Sequence, residues 1–157
     1  MAAYRFLTTW CLAADVARVW DAIEATEQWP EWWPGVKRVT ELAPGNEGRV
    51  GSRHSIAWRS RLPYELEFEF RVDRVERPHL MEGTAEGELA GIGRWRLYEA
   101  RGTTAVLYEW NVDTTKPWMN RLAPLLRPVF AWNHDIVMRQ GGEGLARALG
   151  VPLLTRS

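Results

Sequence analysis

A strict alternation between residues 64 and 73 places the strongest constraint on how this chain can fold. The segment reads Tyr-Glu-Leu-Glu-Phe-Glu-Phe-Arg-Val-Asp, so its apolar and charged side chains point to opposite faces of an extended strand. Antiparallel sheets commonly expose one face to water, whereas parallel sheets are buried on both faces. The segment therefore predicts an antiparallel sheet whose apolar face is covered by another layer.

Other segments with strand character extend this sheet. They are rich in aromatic and β-branched residues, or alternate, and most are joined by turns that contain glycine. The predicted strands are 4–12, 36–42, 54–59, 64–73, 80–89, 93–99 and 104–113. They give a sheet of about seven strands.

Two short helices are predicted directly after the first strand. Asp15 is a good N-cap residue, and the apolar residues that follow it recur every three or four positions, which predicts an amphipathic helix over 16–26. The segment 28–35 contains Pro30, Pro34 and three tryptophans. It predicts a short second helix or a tight corner.

A long helix is predicted at the C-terminal end, from Pro117 to about Leu149. Its expected core-facing stripe consists of Trp118, Leu122, Leu125, Leu126, Val129, Ile136 and Val137. Pro124 and Pro128 should kink this helix or divide it in two, and Gly150 should end it. Glycines at 141, 142 and 144 disfavour a helix, so we expect them to allow close approach of a neighbouring element.

Together these elements predict an α+β fold with a single domain over 1–157 and a core at about 3–150. One helix can cover a seven-stranded sheet only if the sheet curves around it. A curved sheet cannot contact a helix along its whole length, so a wedge-shaped pocket is expected between them.

Composition excludes several classes of protein. Lys+Arg and Asp+Glu are both 20, which argues against a nucleic-acid-binding protein. No apolar run reaches the ~20 residues of a membrane span, and residues 1–10 lack a signal-peptide pattern. The single Cys11 excludes an internal disulfide and a cysteine metal cluster. A cytoplasmic protein is expected.

Ten tryptophans in 157 residues are far more than a domain of this size needs. Large flat side chains suit a cavity for a flat or apolar ligand, but they could equally fill the core. Trp29, Trp32 and Trp33 could form a flap over a cavity mouth or a wedge that closes one end of the core. Both alternatives stay open at the level of sequence.

The order of elements, with the segments 19–23, 29–35, 132–135 and 138–145, resembles the helix-grip superfamily (SRPBCC) over roughly residues 3–150. This superfamily includes START-like lipid-transfer domains, the birch-pollen-allergen fold and bacterial polyketide cyclase/dehydratases. The resemblance implies a bacterial protein with a curved antiparallel sheet around the C-terminal helix. Because one fold hosts many functions, the resemblance implies less about activity than about fold.

Residues expected on the inner faces are candidates for the cavity lining. They are Trp33, His54, Ile56, Trp58, Leu66, Phe68, Phe70, Trp95, Leu97, Tyr108, Trp110, Val129, Asn133 and Val137. Of the residues that could move protons, His54, Tyr64 and Tyr108 are the catalytic candidates. Asn133 is favoured over His134 as a cavity residue, and His134 is assigned a packing or capping role.

The leading hypothesis is binding of a small hydrophobic or aromatic molecule, lipid-like or polyketide-like, between sheet and helix. The second is a polyketide cyclase/dehydratase that uses acid–base chemistry in the same cavity. The third is a protein-interaction domain with a filled core and an exposed apolar patch. Neither a metal nor a cofactor is expected, since His134 and Asp135 lack a chelating spacing. A sheet edge could pair in a homodimer.

Overall fold

The computed structural model describes residues 2–59, 61–63 and 65–156. Within them one sheet has the order β2-β3-β4-β5-β6-β7-β1-β8, and every neighbouring pair is antiparallel. The strands are β1 (Ala2–Leu12), β2 (Val36–Ala43), β3 (Arg53–Trp58), β4 (Leu66–Glu76), β5 (Leu80–Gly87), β6 (Leu89–Ala100), β7 (Thr103–Thr114) and β8 (Leu153–Arg156). The curved sheet and the long C-terminal helix confirm the predicted helix-grip class.

The helices lie where the sequence predicts them, with shifted ends. They are α1 (Val16–Glu24), α2 (Trp29–Trp32), α3 (Pro117–Arg121) and α4 (Ala123–Leu149), and a 3-10 turn spans Thr26–Gln28. The Asp15 side chain accepts a hydrogen bond from the Arg18 backbone N–H, which caps α1. Gly150, with φ of 67°, ends α4 in the left-handed conformation. No helix of the described residues is both long and apolar enough to cross a membrane.

Some predicted boundaries need correction, and one strand is missing from the prediction. The strand predicted at 80–89 ends at Gly87, where the chain turns with a φ of 121°, and the strand predicted at 93–99 begins at Leu89. The helix predicted at 16–26 ends at Glu24. The eighth strand, Leu153–Arg156, escapes prediction because it follows Pro152 and gains its order by pairing with Trp10–Leu12 of β1.

The predicted apolar stripe of the C-terminal helix is wrong in its first half. Trp118, Leu122 and Leu125 are exposed, whereas Val137 is buried. The division expected near Pro124 does occur, with a break at Leu122. In α4 adjacent side chains point about 100° apart, and Leu126 is half-buried where Leu125 is exposed.

The second half of α4 packs very closely against the α2 region, as its glycines predict. A Cβ on Gly144 would lie 1.7 Å from the Trp32 carbonyl oxygen, and one on Gly141 would lie 2.5 Å from the Trp33 ring. Any side chain here would push the helix off the core. The glycines therefore determine which half of α4 sits deepest against the core.

Candidate functional site

A cavity of about 100 Å³ lies between α4 and one end of the sheet. This end comprises the first residues of β1, β4 and β6 and the last residues of β3 and β7. The lining residues are Tyr4, Phe6, Trp58, Leu62, Leu66, Phe68, Leu89, Tyr108, Trp110, Val112, Thr114, Met119, Phe130, Asn133, His134, Val137 and Met138. The volume exceeds the ~30 Å³ share of one water several-fold, so this part of the core is not filled.

The other end of the core is closed by a tryptophan cluster, defined as Trp10, Trp29, Trp33 and Trp95. All four side chains are at most 5% exposed, and their ring centroids lie 5.3–6.1 Å apart in the contacting pairs. The indole N–H of Trp33 donates to the Val137 carbonyl at 2.8 Å, and that of Trp10 to the Met138 carbonyl at 3.0 Å. Trp29 and Trp33 are thus core residues and do not form a flap.

Seven of the predicted lining residues meet at the cavity: Trp58, Leu66, Phe68, Tyr108, Trp110, Asn133 and Val137. Seven others do not line it: Trp33, His54, Ile56, Phe70, Trp95, Leu97 and Val129. Alternation identifies the inner face of a strand but not the position along it, and most of these seven lie toward the tryptophan cluster. Tyr64 lies outside the described residues.

His54 belongs to a separate charged cluster with Glu27, Glu41 and Arg49. Its Nε2 lies 2.9 Å from Glu27 Oε1, while Arg49 donates to Glu27 at 3.0 Å and to Glu41 at 3.2 Å. Burial opposes ionisation of Glu27, but the hydrogen bonds from His54 and Arg49 outweigh it and lower the pKa of Glu27 to about 2. The cluster ties the 3-10 turn to β2 and β3.

The same cluster has the spacing of a metal site, since one ligand atom each from Glu27, Glu41 and His54 lies within 4.8 Å of the others. The Arg49 guanidinium, however, already pairs with both carboxylates. A divalent cation would have to enter against this fixed positive charge. We therefore interpret the cluster as a structural ion-pair network.

Three buried polar atoms, each on a residue that lines the cavity, lack a hydrogen-bond partner among the described protein atoms. They are the Tyr4 hydroxyl, the Trp58 indole Nε1 and the His134 Nε2, all buried. Buried polar atoms in native proteins are nearly always paired. Three such atoms around one cavity are therefore the clearest chemical signal in this structure.

The cavity is uncharged at neutral pH. Burial lowers the pKa of His134 to about 4, so its imidazole is neutral. Burial also raises the pKa of Tyr108 and, although Arg127 opposes it, the pKa of Tyr4. None of the lining residues carries a formal charge in this state, so the cavity disfavours a buried ionic group.

His134 and Asn133 hold two sides of the cavity in place. The His134 ring stacks on Phe6 with a centroid distance of 4.0 Å and an interplanar angle of 13°. Asn133 Oδ1 accepts a hydrogen bond from the Arg61 backbone N–H at 3.2 Å, which ties the loop between β3 and β4 to α4. Packing describes His134 only in part, because the residue lines the cavity and its buried Nε2 has no hydrogen-bond partner among the described protein atoms.

Sequence reasoning did not identify His134, Tyr4 or Phe6 as cavity residues. Tyr4 and Phe6 alternate along β1 with the inner-facing pattern, so the same rule applied to the first strand would have included them. The unpartnered state of His134 has no sequence signature.

Comparison with known proteins assigns the family. Residues 7–150 match the family described as polyketide cyclase/dehydrase and lipid transport. Protein TTHA0849 from Thermus thermophilus has a TM-score of 0.74 at 15% identity, over 92% of this chain and 99% of that one. The Zhui aromatase/cyclase from Streptomyces sp. R1128 has a TM-score of 0.76 at 12% identity, over 93% of both chains.

A START superfamily protein from Mycobacterium smegmatis has a TM-score of 0.68 at 15% identity, over 90% of this chain and 98% of that one. No curated protein matches the sequence. At these identities the structural likenesses concern the fold, whereas the sequence match spans nearly the whole chain. The chain therefore belongs to the polyketide cyclase/dehydrase and lipid transport family.

Proposed function

We propose that this protein binds a small, uncharged hydrophobic molecule that carries at least one hydrogen-bonding oxygen. The observation that carries the proposal is that Tyr4, Trp58 and His134, each with a buried unpartnered polar atom, line one cavity whose wall is mostly apolar. Family membership supports a ligand-binding or cyclase role in general.

The chemistry of these atoms restricts the ligand. An indole N–H only donates, so Trp58 requires an acceptor such as a carbonyl, ether or hydroxyl oxygen. The Tyr4 hydroxyl can donate to the same oxygen or accept from a hydroxyl. Leaving a buried polar atom unpaired costs about 1–3 kcal/mol, so a ligand that satisfies two or three of them gains affinity beyond its apolar contacts.

The uncharged lining argues against a carboxylate held deep in the cavity. Neutral phenols, ketones and alcohols fit this chemistry better than free fatty acids do. The volume of about 100 Å³ is below the ~150 Å³ cavity that holds benzene. A ligand of several rings therefore requires α3, or the loop over 61–63, to move outward.

Tyr4→Phe and Trp58→Phe test the proposal, because each removes one unpaired polar group that the ligand is proposed to bind. Without ligand, Tyr4→Phe should leave the melting temperature unchanged or raise it, because it deletes an unpaired hydroxyl. Ligand affinity should fall about tenfold, equivalent to about 1.4 kcal/mol. Tyr98→Phe is the matched control, since Tyr98 is exposed on the outer face of β6.

Binding is measured by isothermal titration calorimetry, because Trp58→Phe removes one of the two tryptophans that line the cavity and would change a fluorescence signal. The panel contains sterols, flavonoids and aromatic polyketides, with fatty acids as the charged comparison. Equal affinity of the wild type and both variants for a neutral ligand would contradict the assigned hydrogen bonds. Failure of every compound to bind would contradict the binding function itself.

The second candidate function is acid–base catalysis of a cyclase/dehydratase type. Its support is that a neutral imidazole on His134 and a phenol on Tyr108 face one apolar cavity. His134 could accept a proton from a carbon next to a carbonyl, and Tyr108 could donate to the carbonyl oxygen. The sequence-based candidate His54 lies outside this cavity and has no part in the proposed mechanism.

Turnover and binding separate the two functions. If the protein is a cyclase, His134→Phe should abolish turnover of a poly-carbonyl substrate while ligand affinity changes by less than about tenfold. If wild-type protein binds such a substrate without converting it, the binding function stands alone. Turnover that survives in the variant would remove His134 from the mechanism.

A further inference from the structure

The α3 helix and the first half of α4 carry an exposed apolar face. We define this outer face as Trp118, Leu122, Leu125 and Trp132, which are 44%, 42%, 75% and 53% exposed. Leu125 and Trp132 are seven residues apart on α4, the spacing of one helix side, while Trp118 lies on α3 and Leu122 at the break between the two helices. The outer face points away from the sheet.

The charged side chains of the segment that carries this outer face are all basic. From 114 to 134 the chain contains Lys116, Arg121 and Arg127 but neither Asp nor Glu. Lys116 pairs with Glu88 at 2.7 Å, whereas Arg121 is exposed and forms no ion pair with the described residues. The neighbouring loop adds exposed Arg61, whose backbone is tied to α4.

The outer face also coincides with the cavity. The inner sides of the same helices supply Met119, Phe130 and Asn133 to the cavity wall. Beyond Trp132 the solvent side of α4 becomes charged, with exposed Asp135 and Arg139. The apolar part of the outer face is thus confined to the segment that covers the cavity.

We propose that this outer face docks on the surface of a bilayer that contains anionic lipids. Tryptophan rings favour the interfacial region, and leucine side chains next to basic groups favour peripheral insertion into anionic membranes. A symmetric dimer through the same face would bring the basic residues of both copies into one interface, to which residues 114–134 supply no acidic side chain. Docking places the cavity against the membrane, so that an apolar ligand could pass between them without crossing water.

The test is co-sedimentation with vesicles of phosphatidylcholine and phosphatidylglycerol, compared with phosphatidylcholine alone. Wild-type protein should bind the mixed vesicles at least about fivefold better, and added salt should weaken the binding. Leu125→Ser and Arg121→Glu should each lower the bound fraction several-fold. The control for the apolar substitution is Leu7→Ser, since Leu7 is 61% exposed on β1. The control for the charge reversal is Arg74→Glu, at the far end of β4.

Both substituted residues are exposed, so unchanged circular dichroism and melting temperature should accompany the loss of binding. Absence of wild-type binding to the mixed vesicles would overturn the proposal, as would equal losses in the control variants. A soluble dimer that Leu125→Ser converts to a monomer would assign the outer face to a second copy and overturn it too. Ligand binding in solution should be unchanged by Leu125→Ser, which separates this test from that of the cavity.

Discussion

Lowering the pH from 8 to 5 should destabilise the ligand-free protein through His134. Burial lowers the pKa of this imidazole to about 4, against 6.5 in its absence. The unfolded chain therefore binds a proton that the folded chain does not, and stability falls as pH falls through the unfolded value. Well above pH 6.5 the imidazole is neutral in both states and does not affect the free energy of unfolding. That free energy then falls progressively as the pH is lowered from 6.5 to 4.

The two pKa values give the size of the effect. Between pH 8 and pH 5 the free energy of unfolding should fall by about 2 kcal/mol from this one group. Glu27, whose pKa is lowered from 4.5 to about 2, loses its contribution only below this window.

His134→Phe is the matching variant, because phenylalanine preserves the ring that stacks on Phe6 and cannot be protonated. Urea unfolding of both proteins at a series of pH values gives the difference directly. His54 and His79 are present in both, so their contributions cancel. Parallel stability curves for the wild type and the variant would refute the assigned burial of a neutral imidazole.

Two further substitutions test the elements that position the cavity. Gly144→Ala should destabilise the protein by more than about 3 kcal/mol or prevent folding, because its Cβ would collide with the backbone oxygen of Trp32. The control in thermal unfolding is Gly48→Ala, whose Cβ would meet only an ordinary contact. Asp15→Ala should cost about 1 kcal/mol by removing the cap on the Arg18 N–H, and a change below about 0.3 kcal/mol in chemical unfolding would contradict that role.

The sheet could be predicted from sequence to a large extent, because a one-residue shift moves a side chain to the other face. Along β7 the alternation of Val106, Tyr108, Trp110 and Val112 predicts a common buried face, and all four are buried. The strand β8 could not be predicted in this way, because its four residues depend on pairing with β1.

The position of the cavity could not be derived from the same pattern. His54 and Trp58 lie on one face of β3, yet Trp58 lines the cavity while His54 joins the ion-pair network at the other end of the strand. Periodicity gives the face of a strand, whereas the distance along the strand depends on where α4 approaches the sheet. That approach is determined by side-chain volumes on several elements at once.

The distribution of large and small residues accounts for a cavity at one end of the fold. Gly141 and Gly142 let α4 approach Trp33 and Trp10 closely, so this end is filled with rings. At the other end Phe130 and His134 of α4 line the cavity between the helix and the sheet. A larger side chain at Gly141 should therefore lower the free energy of unfolding. A larger side chain at Val112 should instead weaken ligand binding before it affects stability. Trp10 and Trp33 hydrogen-bond to α4, whereas Trp58 and Trp110 line the cavity, so the tryptophan excess serves both the packing of the helix and the wall of the cavity.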